Sequence, residues 1–394
     1  MNQLKRGVLG GLCMLSALAW ADEPTQHKVI PIVAHLEGVG SVVGVGLQSE
    51  KVGEADYKTT AGLAIGDIEG GAFNISDISA FKGKLSFSTF AVTNAEVETQ
   101  YSRGTEIGTQ YQQELSGVGQ FANLKTHFNQ QQYWYANLGM TLVSFGDYST
   151  SSGEVIGLND EGLHDVFSTL VSIGVATDER DSFGDESGLL ASVELAGFLF
   201  RPGQSDQGQL NYASSYTWAF EGQNTITAYA RGSHGFVLAK KSDYDEVDEV
   251  LAELNGQCST LGTEVAQNNC SVLELELAQY IVDSNNKGNA QALGGAYGLR
   301  SYNEQYVKAA NTFLQGIEGT ISLPLSVGEG NRLELISFME SAQASDRLAE
   351  LFDDSLYSVG VGARLNVKDT PIRLEVARGS DDTEAWFFTA GKKW

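Results

Sequence analysis

Hydrophobic and polar residues alternate with a period of two along most of this chain. Val43, Val45 and Leu47 alternate with glycine and glutamine, and the same alternation recurs in several later stretches. Because successive side chains of a strand point to opposite faces of a sheet, the pattern predicts strands with one apolar and one mixed polar face. The later stretches with this alternation are residues 57–66, 189–196, 357–366 and 372–377.

Three features favour a membrane barrel over a water-soluble sandwich, whose strands would also alternate. The runs are about ten residues long, which is the length that a tilted strand needs to cross a bilayer. Aromatic residues cluster at 133–135, 218–220 and 386–388, at strand ends, where barrels carry interfacial girdles. Residues 22–394 also form a chain too long for one ordinary sandwich, without a domain linker. We therefore predict an all-β fold, a single transmembrane antiparallel β-barrel of about sixteen strands between about Val42 and Trp394.

One long acidic stretch, Lys240–Ala292, breaks the alternation and is predicted to precede the twelfth strand. Val247, Val250, Leu251 and Leu254 have helical spacing, which predicts a short amphipathic helix. The stretch is too long for a periplasmic turn, so we expect it on the extracellular side or inside the lumen. Its acidic residues at 243–248 lack the glycine and the terminal glutamate of a calcium loop, which favours a solvated acidic face.

The acidic stretch also contains Cys258 and Cys270. Two cysteines twelve residues apart in an exported chain predict a disulfide. A metal site is the alternative, but no histidine lies near them in the sequence to complete one.

The first 21 residues have the features of an export signal. Lys5 and Arg6 precede a short apolar run, Val8–Leu18, and Ala19-Trp20-Ala21 is a small-residue cleavage motif. The run is far shorter than the roughly 20 apolar residues that a membrane helix needs. We therefore expect residues 1–21 to be removed, the mature chain to begin at Asp22, and the protein to be exported.

Composition narrows the range of functions. The formal net charge of −25 argues against nucleic acid as a partner. The mean hydropathy of −0.16 is that of a soluble protein, and a barrel gives the same value because every second strand residue faces the lumen. Five prolines and 45 glycines suit long strand ladders with tight turns.

The sequence carries no recognised catalytic motif. The five histidines are scattered, and the sequence contains neither a Gly-x-Ser-x-Gly elbow nor a His-Glu-x-x-His motif. We expect no catalytic, cofactor-binding or metal-binding residues, and therefore no enzymatic activity.

Two short motifs lie in the C-terminal half, one on a predicted loop and one on a predicted strand. Gly294-Gly295 leads into Leu299-Arg300-Ser301-Tyr302, and the strand carries Phe338-Met339-Glu340-Ser341. They resemble the Val-Arg-Gly-Tyr and Phe-x-Asp-x-Gly motifs of the BamA/TamA family of outer-membrane barrels, with Ser301 and Glu340 in the places of the glycine and the aspartate. The resemblance implies that Arg300 reaches into the lumen and pairs with Glu340.

Two further segments resemble the same family. Asp178-Glu179-Arg180-Asp181, followed by Gly188, is similar to its Asp-x-Arg-Asp turn. The last residues resemble its closing strand, whose terminal aromatic residue is the general address of an outer-membrane barrel. We expect Phe388, Gly391 and Trp394 to carry this C-terminal signal.

The resemblance implies an outer-membrane insertase or translocase that works at the seam between first and last strands. We expect that seam to join Val42–Gln48 to Ala385–Trp394, and partners to be outer-membrane lipid and other outer-membrane proteins or a periplasmic accessory protein. Only about twenty residues separate Asp22 from the first predicted strand, so a member without POTRA domains is expected. The alternatives are a passive, cation-preferring pore and a structural outer-membrane barrel.

Overall fold

A computed structural model gives the arrangement of the chain as one large antiparallel sheet. It describes residues 26–36, 39–52, 55–106, 108–150, 155–156, 165–180, 187–199, 204–220, 224–240, 244–254, 258, 263–296, 298–326, 332–367, 370–380 and 382–390. The strands are β1 (Gln26–Leu36), β2 (Gly40–Val52), β3 (Ala55–Gly66), β4 (Glu69–Ala80), β5 (Gly83–Thr99), β6 (Tyr111–His127), β7 (Gln132–Thr150), β8 (Val155–Ile156), β9 (Asp165–Asp178), β10 (Gly188–Leu199), β11 (Asp206–Phe220), β12 (Asn224–Ala239), β13 (Asn311–Ser326), β14 (Arg332–Ser345), β15 (Leu356–Val367), β16 (Thr370–Gly379) and β17 (Glu384–Ala390).

The sheet follows the chain order and returns to its first strand. β8 is a two-residue extension beside β7, and β7 pairs directly with β9. Within the described residues sixteen strands therefore follow one another, each antiparallel to its neighbours, and β1 also pairs with β17. The predicted all-β barrel of about sixteen strands is confirmed, and the long acidic stretch lies before β13, the twelfth of these sixteen.

The two faces of the sheet differ as the alternation predicts. Val43, Val45 and Leu47 of β2 are exposed on the outside, as are Leu335 and Met339 of β14. The intervening positions of β14 are buried toward the interior. An apolar outer face, with charged residues such as Glu334 and Glu340 on the inner face, is the pattern of a barrel in lipid.

The two rims differ in the length of their connections. At the rim where β1 begins and β17 ends, which we call the turn rim, the connections are short, as at 53–54, 81–82, 128–131 and 368–369. At the opposite rim, which we call the loop rim, the connections include 100–110, 240–310 and 346–355. Outer-membrane barrels carry short turns on the periplasmic side and longer loops outside.

Two helices form a lid at the loop rim. Helix α1 spans Val247–Leu254, where the spacing predicts it, and α2 spans Glu264–Lys287. Cys258 and Cys270 form the predicted disulfide beside them. Buried residues of both helices pack on Tyr101, Tyr111 and Tyr148 of the barrel. Neither described helix has the length and apolar character needed to cross a bilayer.

The first strand begins earlier than the alternation predicts. β1 starts at Gln26, and Val42–Gln48 lies in β2, paired on both sides with β1 and β3. The expected seam between Val42–Gln48 and the last strand is therefore wrong, because β1 occupies that place. The expected export signal at residues 1–21 and two residues of the C-terminal signal, Gly391 and Trp394, lie outside the described residues.

Candidate functional site

The chain between α2 and β13 folds back into the barrel, and we call residues 288–310 the plug loop. Gly288 caps the C-terminal end of helix α2, and its φ of 81° lets the chain turn toward the lumen. Ala290 then donates a backbone hydrogen bond to Ala309 (2.9 Å), and Leu293 and Val307 form an isolated antiparallel bridge. The plug loop is thus a narrow hairpin, and its tip contains the described residues 294–296 and 298–302.

The tip is held by a compact set of backbone turns. Gly295 N donates to Tyr302 O (2.8 Å), and Tyr302 N donates to Leu299 O (3.1 Å). Leu299 has a φ of +60°, a conformation that is costly for a branched residue, and its side chain is fully buried. Ser301, which replaces the glycine of the family motif, is not among the described non-glycine residues with positive φ. The left-handed position of this turn is therefore Leu299.

Arg300 points from this tip onto the barrel wall and is fully buried. Its Nε donates to Oε1 of Glu340 (3.0 Å), and its backbone N donates to Oε2 of the same carboxylate (2.9 Å). The guanidinium carbon lies 3.3 Å from the ring centroid of Phe338. The structure therefore brings together both motifs that the sequence singles out, and the side chains of Phe338 and Glu340 both contact Arg300.

Three other strands supply partners to the same guanidinium. Nη1 donates to Glu318 of β13 (2.8 Å) and Glu375 of β16 (3.2 Å), and Nη2 donates to the hydroxyl of Tyr229 on β12 (3.1 Å). The Tyr229 hydroxyl in turn donates to Glu340 (2.6 Å). Charge-assisted hydrogen bonds of this kind are strong, so Arg300 ties the plug loop to four strands of one wall.

The carboxylates around Arg300 are shared with arginines of the wall. Arg373 of β16 donates to Glu318 (3.1 Å) and to Glu375 (3.1 Å from its Nε). Closer to the turn rim, Glu334 is fully buried between Arg332 and Arg364. Four arginines thus accompany four glutamates, because Glu340 completes the set with Arg300, and these eight side chains together carry no net formal charge.

Burial and these carboxylates act in opposite directions on Arg300. Loss of water alone would lower the pKa of Arg300, but Glu340, Glu318 and Glu375 raise it well above its ordinary value. The guanidinium therefore stays charged, as a buried cation does when several acids surround it.

Contacts around Arg103, which we call the outer clamp, hold the end of the plug loop that lies at the loop rim. Arg103, on the β5–β6 loop, donates from Nε to Asp346 (2.9 Å) and from Nη2 to Gly288 O (2.8 Å). Lys287 also binds Asp346 (3.0 Å). Nearby, Lys308 donates to the Gln100 carbonyl (2.8 Å), and burial followed by the positive charge of Arg103 lowers the pKa of Lys308 to about 8.

The two ends of the sheet meet in a short contact between β1 and β17, which we call the seam. Among the described residues, one register pair joins these strands, His35 opposite Phe388, whereas β1 and β2 pair continuously over eleven positions. The ring of His35 stacks on Trp386 across the seam, with centroids 3.7 Å apart and planes 4° apart. Pro31 lies within β1 and has no N–H, so this strand has one donor fewer.

The predicted site residues fall into three places. Arg300 and Glu340 meet in the lumen, Cys258 and Cys270 join in the lid, and Phe388 lies at the seam. Asp178 caps its own turn by accepting from the backbone N of Arg180 (3.1 Å), while Asp181 lies outside the described residues. Five further residues of these sites were not predicted from the sequence: Glu318, Glu375, Arg373, Tyr229 and Arg103. The signal available for Arg373 and Glu375 was their alternation with Ile372, Leu374 and Val376, which puts both on the lumen face.

Comparisons with known proteins give matches of structure without matches of sequence. No family model matches the chain, and no curated protein matches it. BamA from Haemophilus ducreyi lacking POTRA domains 1–3 is 10% identical with a TM-score of 0.53, and the match covers 94% of this chain and 70% of that one. CdiB from Escherichia coli is 8% identical with a TM-score of 0.53, covering 94% and 67%, respectively. CdiB from Acinetobacter baumannii is 8% identical with a TM-score of 0.52, covering 93% and 59%.

Proposed function

From the premise that this chain has the fold of the BamA and CdiB outer-membrane barrels, we propose that it is an integral outer-membrane barrel that opens at the seam. In this proposal it assists the insertion or transport of proteins or lipids. The observation that carries it is the seam itself, where one described register pair stands against eleven between β1 and β2. Within the described residues the ladder between β1 and β17 is short, and separating a short ladder breaks few backbone hydrogen bonds.

An open seam would present two strand edges to an incoming chain. Each edge carries unpaired N–H and C=O groups, and such an edge templates strand addition. In hydrocarbon an unpaired backbone group is costly, so an edge that opens there favours any segment that can pair with it. This chemistry suits nascent barrel strands as substrates.

The plug loop supports one side of the seam. Arg300 binds β12, β13, β14 and β16, and Ala296 of the tip packs on Ala385 and Phe387 of β17. The wall from β12 to β17 is thus braced from inside. We propose that β1 moves away from this braced wall when the seam opens, with the plug in place.

The proposed location and partners follow from this mechanism. The turn rim would face the periplasm and the lid would face outside. Outer-membrane lipid surrounds the barrel, and other outer-membrane proteins or a periplasmic accessory protein would deliver or receive the substrate. We propose no catalytic step and no cofactor.

A seam lock tests the proposal. His35→Cys with Phe388→Cys would weld β1 to β17 at their register pair, and a photo-crosslinking residue at Trp386 would report what approaches the seam. The matched control lock is Val43→Cys with Ile65→Cys, a register pair between β2 and β3. The matched control for the probe is Val361, an exposed outer residue of β15.

The expected result is adducts to outer-membrane proteins or lipid-linked species from Trp386 that exceed those from Val361. They should disappear with the seam lock and persist with the control lock. Equal adducts from both probes, or adducts that survive the seam lock, would contradict opening at this seam.

A further inference from the structure

The tip of the β4–β5 hairpin has an unusual backbone for its residues. Ala80 pairs with Gly83, so Phe81 and Lys82 alone make the turn, with φ of 49° and 61°. A two-residue hairpin loop with both residues left-handed is a type I′ turn, for which Asn-Gly is the usual sequence. Left-handed backbone is costly for Phe and Lys, so this turn is maintained against a local preference.

A bulge next to the turn changes the direction of the tip. The β4–β5 register shifts between Ile75 and Ile78, and Asp77 within the shift has a φ of 66°. Lys84 stabilises the bulge by donating from Nζ to Asp77 O and to Ser79 Oγ, both at 3.2 Å. Bulges are common at barrel rims, and Phe81, in the turn that follows this one, is 84% exposed.

The neighbouring hairpin presents a second exposed ring at the same rim. Phe128, in the β6–β7 turn, is 67% exposed, and its backbone N donates to Gln132 O (2.9 Å). Leu124 pairs with Leu85 of β5, and Ala122 pairs with the exposed Phe87. By the period of two, Phe128 continues this outer face, so both rings stand where the apolar outer surface ends.

We infer that Phe81, Lys82 and Phe128 form a contact surface for the phospholipid headgroup layer at the turn rim. The surface is continuous with the apolar outer face, which favours lipid over a soluble protein as its occupant. Aromatic rings are stable at the level of the headgroups, and the exposed ammonium of Lys82 matches a headgroup phosphate. The strained turn then has a purpose, because an Asn-Gly turn would remove both the ring and the cation.

This inference rests on the proposed outer-membrane location, and the experiment separates the two. Phe81→Cys and Phe128→Cys would each carry an environment-sensitive fluorophore, in full-length protein folded into phosphatidylethanolamine–phosphatidylglycerol vesicles with brominated lipids as quenchers. Leu138→Cys, at an exposed outer position of β7, reports whether the barrel is embedded. Leu275→Cys, an exposed apolar position of α2, is the matched control on the lid.

Quenching at 81, 128 and 138, without quenching at 275, is the expected result. Quenching at 138 alone would overturn the lipid contact while leaving the membrane location intact, and no quenching at 138 would overturn both. Shielding of 81 and 128 that needs added periplasmic extract would assign the surface to a protein and overturn the inference.

A turn variant gives a second, independent readout. Phe81→Asn with Lys82→Gly should relax the hairpin, because it restores the favoured type I′ sequence. If the surface binds headgroups, this variant should nevertheless insert into the same vesicles several-fold more slowly than the parent. Insertion at the parent rate or faster would show that the turn residues have no role toward lipid.

Discussion

At the scale of single residues, Arg300 joins the tip of the plug loop to the barrel wall. Its burial is tolerable because Glu340, Glu318, Glu375 and Tyr229 together satisfy its donors. Removing one partner of a buried charged group is far costlier than forming the pair is favourable, since the other partner is left without compensation. The Arg300–Glu340 pair therefore fixes the position of the plug loop more than it adds net stability.

We expect Arg300→Ala to destabilise the folded barrel by about 3–5 kcal/mol and to make the plug loop sensitive to protease. The matched control is Arg347→Ala, because Arg347 pairs with Glu350 at the surface, where water screens the pair and its loss costs little stability. Thermal unfolding in detergent and limited proteolysis would measure both effects. Equal melting temperatures and equal protease resistance in the two variants would contradict this role of Arg300.

The sequence motifs predicted the central pair of this site, Arg300 and Glu340, but not the residues that surround it. The motif resemblance named Arg300 and Glu340, because both stand in short, recognisable segments. Glu318 and Tyr229 lie outside both motifs, on other strands, and only the registers of β12 to β16 bring these side chains to one guanidinium. The alternation predicts on which face of the sheet a side chain lies. Whether two side chains touch depends also on their positions along the barrel axis, which the alternation does not give.

At the scale of elements, the plug loop is held at its tip by Arg300 and at the loop rim by the outer clamp. A buried lysine, Lys308, lies beside the outer clamp. Lys308 lies between Tyr101 and Tyr280, with its ammonium 5.4 Å and 5.5 Å from the ring centroids. Burial and Arg103 disfavour its charge, which is why its pKa falls from 10.5 to about 8. The clamp is therefore weakened while Lys308 is protonated.

The sign of the resulting pH dependence follows from proton binding. Between about pH 8 and pH 10.5 the unfolded chain keeps a proton on Lys308 that the folded protein has lost. Stability should rise with pH in that window, by linkage. Lys308→Met, which cannot titrate, should lack this rise. Melting temperatures of both proteins from pH 7 to pH 10 measure the difference, and parallel curves would contradict the assignment.

Local pattern predicted most elements and failed at two. β1 was missed because the residues of Val29–Val33 are all apolar, so they show no period of two. Pro31 in the middle of this run also argues against a strand. Helix α2 was missed because Val265, Val272 and Leu275 are exposed apolar residues that blur its buried stripe. Both errors arise where tertiary pairing, at the seam or against the barrel, decides the structure.

At the scale of the whole molecule, the net charge of −25 does not describe the interior around the plug. The described wall between β13 and β16 balances four glutamates with four arginines, one of which, Arg300, belongs to the plug loop. A passive cation pore would instead need acidic groups free to meet ions. With the plug in place, the wall offers paired charges and a filled space.

Conductance across a planar bilayer separates the proposed function from a passive pore. We expect the complete protein to conduct little, and deletion of residues 289–309 to produce steady currents. The deletion leaves Glu318, Glu340 and Glu375 with two wall arginines, Arg373 and Arg231, so an acidic excess remains and those currents should be cation-selective. Glu375→Gln in the deletion background should reduce that selectivity, because it removes one of the carboxylates that the deletion separates from Arg300. A large, steady, cation-selective current from the complete protein would instead favour the passive pore, since it would mean that the plug loop leaves a continuous water path beside it.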